Sequence, residues 1–162
     1  MVQVKGALGT PATLTIALAD DTNGLADGAG RVATQYDGGA QFPLKGWISV
    51  VTTTGTVAPA SGTLLEFYMA YSDPDGNISD GGASATGIGL TDAALTNKPE
   101  NVQQVGALVM NSAIAQDHAV VFPVFDLPRK WSLVAWNETG EELSITASNH
   151  VIKFIPQFDE TV

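Results

Sequence analysis

The sequence predicts a single all-β domain: an antiparallel β-sandwich or jelly roll of about eight strands. Its 17 glycines and 8 prolines divide 162 residues into short runs, which is typical of strands joined by frequent turns. Several runs are rich in Val, Ile, Thr and aromatic residues and alternate apolar with polar positions. No window keeps a helical period over three turns. The length fits one domain with one core.

Eight segments carry the strand pattern. Residues 44–53 are strongly β-branched, and residues 63–72 alternate over their whole length. Pro123 interrupts 118–125 and predicts an edge strand or a bulge there, because proline donates no hydrogen bond to a ladder. The predicted strands are residues 12–18, 31–36, 44–53, 63–72, 102–110, 118–125, 131–136 and 143–154.

Residues 131–147 read as a β-hairpin. WSLVAW at 131–136 forms the first strand, NETGE at 137–141 the turn, and ELSITA at 142–147 the second strand. Trp131 and Trp136 are an odd number of positions apart, so a regular strand directs them to opposite faces. We expect one of these rings in the core and the other nearer the surface.

The two ends of the chain differ from its middle. We predict an N-terminal arm at residues 1–11, a sandwich domain at 12–154 and a C-terminal tail at 155–162. Apolar arms and tails are common docking elements in assemblies, and the long loop at 79–99 is a candidate contact surface. The predicted interface residues are Val2, Val4, Phe158, Arg129 and Lys130.

Charge and composition exclude several classes of function. The chain has 7 Lys and Arg residues and 17 Asp and Glu residues, which gives a net charge of -10. The scattered cations form no basic stripe, so we expect no nucleic-acid partner and no binding to an anionic membrane. No apolar run reaches the ~18 residues of a membrane helix. The chain has 0 cysteines, which excludes disulfides and thiolate metal sites.

Arg129 and Lys130 are adjacent cations in this acidic chain. They follow Leu127-Pro128 and precede a predicted strand. The pair fits a contact with the acidic loop of a neighbouring subunit, and it fits a solvated turn equally well. Both interpretations stay open at the level of sequence.

No catalytic constellation is present, and we predict no catalytic residue, no cofactor and no metal. The only histidines are His118 and His150, and no Gly-x-Ser-x-Gly motif accompanies them. We expect both at the surface or rim. Glu66 lies inside an apolar strand, and we expect it to face solvent on the alternate face rather than to act as an acid catalyst.

Two further patterns suggest binding. The turn at 73–80 has Asp and Asn at the spacing of the first calcium ligands, but it lacks the glycine and the glutamate of an EF-hand where that motif needs them. A hairpin turn is the favoured interpretation. Six aromatic rings are candidates for a sugar-stacking platform, although core packing is favoured for each: Trp47, Trp131, Trp136, Tyr36, Tyr68 and Tyr71.

One segment carries a family resemblance. DLPRKW at 126–131, an apolar strand, NETG at 137–140 and an alternating strand with an aromatic tail resemble small virion structural proteins of tailed bacteriophages. The segments GRVAT at 30–34, YMAYS at 68–72 and the turn at 75–76 follow in similar order. The match is specific only over 127–140, and the 79–99 loop has no counterpart.

The resemblance implies a non-enzymatic β-sandwich subunit of the virion, made in the host cytoplasm. We expect a capsid decoration or cement subunit that binds the major capsid protein or other virion proteins. We also expect a homo-oligomer, with a trimer favoured. A neck or tail accessory protein is one alternative, and a carbohydrate-binding jelly-roll module for host glycans is another.

Overall fold

A computed structural model describes residues 4–40, 42–71, 93–95, 98 and 102–161. These residues form eleven strands and one short 3-10 helix, Ala147–Asn149. The strands are β1 Val4–Leu8, β2 Ala12–Thr13, β3 Gly30–Val32, β4 Tyr36–Asp37, β5 Lys45–Thr53, β6 Leu64–Tyr71, β7 Ala93–Leu95, β8 Gln103–Val109, β9 Asp117–Phe125, β10 Lys130–Glu138 and β11 Val151–Thr161.

Two antiparallel sheets pack face to face, which confirms the predicted β-sandwich. The five-stranded sheet has the order β1-β11-β5-β9, with β2 also pairing with β11. The six-stranded sheet has the order β7-β3-β10-β6-β8, with β4 also pairing with β10. The inward side chains of both sheets form one core, which includes Phe67, Trp131 and Phe154. Alternation along each strand supplies this core, because successive side chains point to opposite faces.

The predicted strand at 12–18 is the least accurate of the eight. Only Ala12–Thr13 is a strand, and Leu14 continues with a single hydrogen bond to the Ile152 carbonyl. The segment then folds over the end of the sandwich as a loop. The predicted 31–36 strand divides into β3 and β4, which pair with different parts of β10.

β10 is the central strand of the six-stranded sheet, and all its residues from Trp131 to Asn137 are buried. Trp131 and Trp136 point to opposite faces, as predicted. Trp131 lies in the core between the sheets and Trp136 on the outward face, but Trp136 is also buried, with 4% of its surface exposed. The reason is a second apolar cluster on the outward face of this sheet, where Trp136 packs with Tyr68 and Leu95.

The predicted hairpin at 131–147 does not form. Both edges of β10 are already paired, with β6 on one side and β3 and β4 on the other, so no edge is free for residues 142–147. The chain instead crosses to the five-stranded sheet, where Leu143 bridges to Thr54. The buried Asn137 side chain fixes the start of this crossover by donating to the carbonyls of Leu25 and Glu141, both at 2.8 Å.

The terminal segments lie next to each other. β1 pairs with the last part of β11, from Val4 opposite Thr161 to Leu8 opposite Gln157. β11 runs without a break from Val151 to Thr161, across the predicted boundary between domain and tail. The described parts of the arm and the tail are therefore strands of the five-stranded sheet.

Candidate interaction surfaces

The outward face of the five-stranded sheet is largely apolar, and no other described residue covers it. Trp47, Val121 and Phe125 are 39%, 58% and 61% exposed. The pairing register places Trp47 opposite Pro123 on one side and Ile155 on the other, so these side chains form continuous rows. We call this surface the bare face; its apolar residues are Trp47, Val51, Ala119, Val121, Pro123, Phe125, Val151 and Ile155.

The bare face follows from the sequence of β9. HAVVFPVF is apolar at nearly every position, but only its even-numbered residues face the core: His118, Phe122 and Val124 are buried, and Val120 is partly buried. Ala119, Val121, Pro123 and Phe125 point to the other face, and no other described residue covers them. Exposed contiguous apolar surface on a soluble protein marks an interaction site more often than chance.

A groove adjoins the bare face at the end of the sandwich where β5 begins. It has a volume of about 660 Å³, and the exposed side chains of Leu8, Phe42 and Leu44 line it. Phe158 lines the same groove, opposite Ala7 in the β1–β11 ladder. Lys45 lies at its rim and forms an ion pair with Asp159 at 2.8 Å.

Arg129 and Lys130 lie at this same end. The Arg129 side chain is 56% exposed and forms a two-pronged ion pair with Asp37, with Nε to Oδ1 at 3.0 Å and Nη2 to Oδ2 at 3.3 Å. The guanidinium holds the pKa of Asp37 below its ordinary value. Lys130 begins β10 directly opposite Asp37. One of the two predicted contact cations is thus already satisfied within the subunit.

The remaining predicted interface residues are placed as follows. Val4 lies in β1 opposite Thr161, in the sheet that carries the bare face. Val2 lies outside the described residues, and so do the candidate calcium turn at 73–80 and most of the 79–99 loop. Sequence reasoning missed the bare face itself. Its signal was an apolar run on a strand that Pro123 marked as an edge.

The histidines form a row on the inward face of the five-stranded sheet. Thr52 of β5 lies opposite His118, and its hydroxyl is 2.6 Å from His150 Nδ1. His118 is buried, so the expectation of a surface position is wrong for it; even-numbered residues of β9 face the core. Its Nε2 has no hydrogen-bond partner.

His150 is hydrogen-bonded through both ring nitrogens. Its Nε2 lies 2.8 Å from the Ser144 carbonyl, to which it donates, and in the neutral ring Nδ1 then accepts from the Thr52 hydroxyl. Burial lowers the pKa of His150. Thr52 is fully buried and the second nitrogen contacts a carbonyl rather than a carboxylate. The row therefore ties the crossover to β5 and lacks the geometry of a nucleophile activated by a triad.

Glu66 belongs to a charged network on the outward face of the six-stranded sheet. It accepts from the Tyr68 hydroxyl at 2.7 Å and pairs with Lys98 at 2.7 Å. It lies on the outward face, as predicted, but its side chain is only 13% exposed because Tyr68 and Lys98 contact it. Lys98 also pairs with Glu138 at 3.0 Å, and Glu138 accepts from Trp136 Nε1 at 2.8 Å.

The network perturbs the titration of its members. Hydrogen bonding to Glu66 raises the pKa of Lys98, and hydrogen bonding from Lys98 lowers the pKa of Glu138. Burial raises the pKa of Tyr68 to about 12. Each group has a charge-matched or hydrogen-bonded partner, so the network fastens Lys98 over the Trp136 cluster and leaves no group poised for acid–base chemistry.

The six aromatic rings do not form a planar platform. Trp131, Trp136 and Tyr68 are buried, and Tyr36 packs against Trp131 and Phe154 with ring centroids 5.1 and 5.0 Å apart. Trp47 is the exposed tryptophan.

Over the described ranges, no group of three or more metal-ligating side chains converges. The same residues include no helix with the length and apolarity to cross a bilayer. Comparison with protein-family models, with curated proteins and with solved structures finds no match for this chain.

Proposed function

We propose that this chain is a non-enzymatic structural subunit of a tailed-bacteriophage virion, and specifically a capsid decoration or cement subunit that binds the major capsid protein. The bare face carries the proposal. The sequence resemblance over 126–140 supplies the class of assembly, and the bare face supplies a surface through which such a subunit can act.

Charge explains how a chain with this surface stays soluble before assembly. A net charge of -10 keeps copies apart in the cytoplasm. The charged side chains that face outward from β5 and β11 include Lys45, Lys153 and Asp159, and Asp159 is paired with Lys45, so the repulsion is weakest there. A partner that contacts this face therefore meets apolar surface without a dense acidic layer.

The bare face is too small to form a stable interface by itself, so we expect the adjoining surface to contact the partner as well. Three strands at ~4.8 Å spacing and about four rows at ~6.8 Å give a flat area of about 400 Å². A stable interface buries ~800 Å² on each partner. The groove with Phe158, together with the end that carries Arg129 and Lys130, supplies the adjoining area in our proposal.

Binding to shells tests the proposal. The purified chain is mixed with virion shells that lack it, and bound copies are counted after sedimentation. The double variant Trp47→Ser, Phe125→Ser removes apolar contact from the bare face and should weaken binding at least tenfold. The control Val57→Ser, Ile145→Ser makes a similar change at the opposite end, where both residues are also exposed, and should bind normally.

Charge reversal tests the two predicted cations separately. Arg129→Glu with Lys130→Glu should weaken shell binding while the thermal unfolding midpoint moves little, because the Asp37 pair is solvent-exposed. Unchanged binding would assign both cations to a solvated turn. Absence of the chain from purified virions by mass spectrometry, together with no binding to shells, would overturn the proposed function.

Two alternatives predict different partners. A neck or tail accessory subunit would bind isolated tails or necks through the same surface and ignore empty shells. A carbohydrate-binding module draws support from Trp47 and Phe125, which are exposed diagonal neighbours on the bare face. The burial of Trp131 and Trp136 opposes it. Binding to a glycan array that is lost in Trp47→Ser would favour the carbohydrate alternative.

A further inference from the structure

The free edge of β9 is the longest regular strand edge in the described chain. β9 ends the five-stranded sheet and pairs with β5 over nine consecutive residues without a register shift. The opposite edge of that sheet is formed by the shorter β1 and β2. In the six-stranded sheet one edge is the three-residue β7, and the other, β8, has a bulge between Gly106 and Gln104. Short strands and bulges are the usual protection of sheet edges.

The alternation of hydrogen bonds along β5 shows which backbone N–H and C=O groups of β9 do not bond to β5. Thr54 donates to the carbonyl of Gln116, and the Thr53 carbonyl accepts from Ser144 on the other side of β5. Hydrogen-bonded pairs alternate in an antiparallel ladder. Even-numbered residues of β9 therefore bond to β5, and the odd-numbered residues from Asp117 to Phe125 direct their N–H and C=O groups outward.

Pro123 protects only half of this edge. It is one of the outward-facing positions, where its missing N–H costs no bond to β5. Asp117, Ala119 and Val121 keep outward donors and acceptors, and the last two side chains are exposed. No lysine or arginine lies anywhere on β9.

We propose that two copies of this chain associate by antiparallel pairing of their β9 edges, with Ala119 opposite Ala119 of the second copy. In this register Asp117 lies opposite Val121 of the other copy, and about six backbone hydrogen bonds form. A register centred on Val121 would put Ala119 opposite Pro123, which lacks the donor. Of these two registers, the proline therefore favours the one centred on Ala119.

The sequence of the β9 edge fits a second copy of this chain as the pairing partner. The open stretch from Asp117 to Val121 pairs with an identical stretch in either copy, so the contact is isologous and closes as a dimer. The two five-stranded sheets become continuous, and both bare faces lie on the same side. The pairing goes beyond the proposed virion role and does not depend on it. It also differs from the trimer that the sequence favours.

A proline placed on the open edge tests the dimer. Val121→Pro removes an outward N–H and no bond to β5, and should weaken dimerisation at least about tenfold. The matched control is Val109→Pro. Met110 donates to Thr63, so the N–H of Val109 also points outward, but on the edge of β8. This control should dimerise like the parent chain.

Light scattering and hydrogen exchange provide the readouts. We expect the parent chain to move from 16.8 kDa to twice that mass as its concentration rises, more readily at ~0.15 M salt than at ~0.01 M because the copies repel each other. The amides of Asp117, Ala119 and Val121, which point to the open edge, should gain protection with concentration. This second readout holds even if Val121→Pro fails to fold.

Three results would overturn the dimer: a monomer at all concentrations, a trimer, or a dimer in which the amides of Asp117, Ala119 and Val121 exchange freely. None of these would bear on shell binding, which is measured separately with the bare-face variants. Conversely, a β9 dimer that binds no shell would leave the pairing intact and remove the virion role.

Discussion

The two sheets differ in what lies on their outward faces. The six-stranded sheet is covered: Trp136 and Tyr68 are buried in a second cluster, and Lys98 is fastened above them by Glu66 and Glu138. The five-stranded sheet carries similarly apolar side chains on its outward face and leaves them exposed. A sandwich needs only its shared core to fold. The exposed apolar face is therefore the part of the molecule that folding alone does not explain.

The largest expected difference in unfolding free energy is between two separate variants, each of which replaces one tryptophan of an outward face with alanine. Trp136→Ala should lower the free energy of unfolding by about 3–5 kcal/mol, because it empties a buried site. Trp47→Ala should lower it by about 1–2 kcal/mol, because the ring is already 39% exposed. Urea unfolding followed by circular dichroism measures both. Equal losses would mean that the two faces do not differ as described.

We expect a smaller difference in unfolding free energy when one ion pair of each sheet is removed. Lys98→Met leaves the largely covered Glu66 without its cation and should cost about 1–2 kcal/mol of unfolding free energy. Lys45→Met breaks the more exposed pair with Asp159 and should cost ~0–1 kcal/mol. The comparison is made at low salt by chemical unfolding. A cost for Lys45→Met as large as that for Lys98→Met would contradict a special role for the Lys98 network.

The smallest effect concerns the crossover that joins the sheets. Because burial lowers the pKa of His150 below its ordinary 6.5, the unfolded chain takes up the proton first on acidification. The stability that this group contributes is complete above pH 6.5 and is lost as the pH falls toward the folded pKa. His150→Gln should lower stability by about 1 kcal/mol at pH 7.5 and flatten its pH dependence between pH 7.5 and 5.5.

His118→Gln is the matched control for that experiment, since it alters the histidine on the other side of Thr52. The contribution of His150 to the pH dependence should persist in it. A pH dependence that survives in His150→Gln and disappears in His118→Gln would show that His118, and not His150, causes it. Unfolding midpoints in urea, measured at four or five pH values, are sufficient.

The sequence predicts the fold class because strand alternation and turn residues are local signals. It predicts the edge position of β9 for the same reason, since a proline acts on its own strand. The hairpin prediction at 131–147 fails because strand partners are not local: β10 takes β6, β3 and β4 as neighbours, and none is adjacent to it in the chain.

The candidate surface shows the same limit. Phe158, Arg129 and Lys130 were recognisable as apolar or charged residues in unusual positions, and the fold brings all three to the same end of the sandwich as the groove. The bare face was not recognisable, because the apolar run of β9 looks the same whether one face or both are buried. Only the tertiary packing separates the two cases, because no described residue packs over the odd-numbered side chains of β9.

Hydroxyl-radical footprinting of the chain, free and on virion particles, tests the contrast between the two outward faces most directly. Trp47, Val121 and Phe125 should be oxidised in the dilute free chain and protected on the particle, while Trp136 should be protected in both states. Oxidation of Trp47 and Phe125 that is equally strong on the particle and in solution would show that the bare face does not contact a partner there.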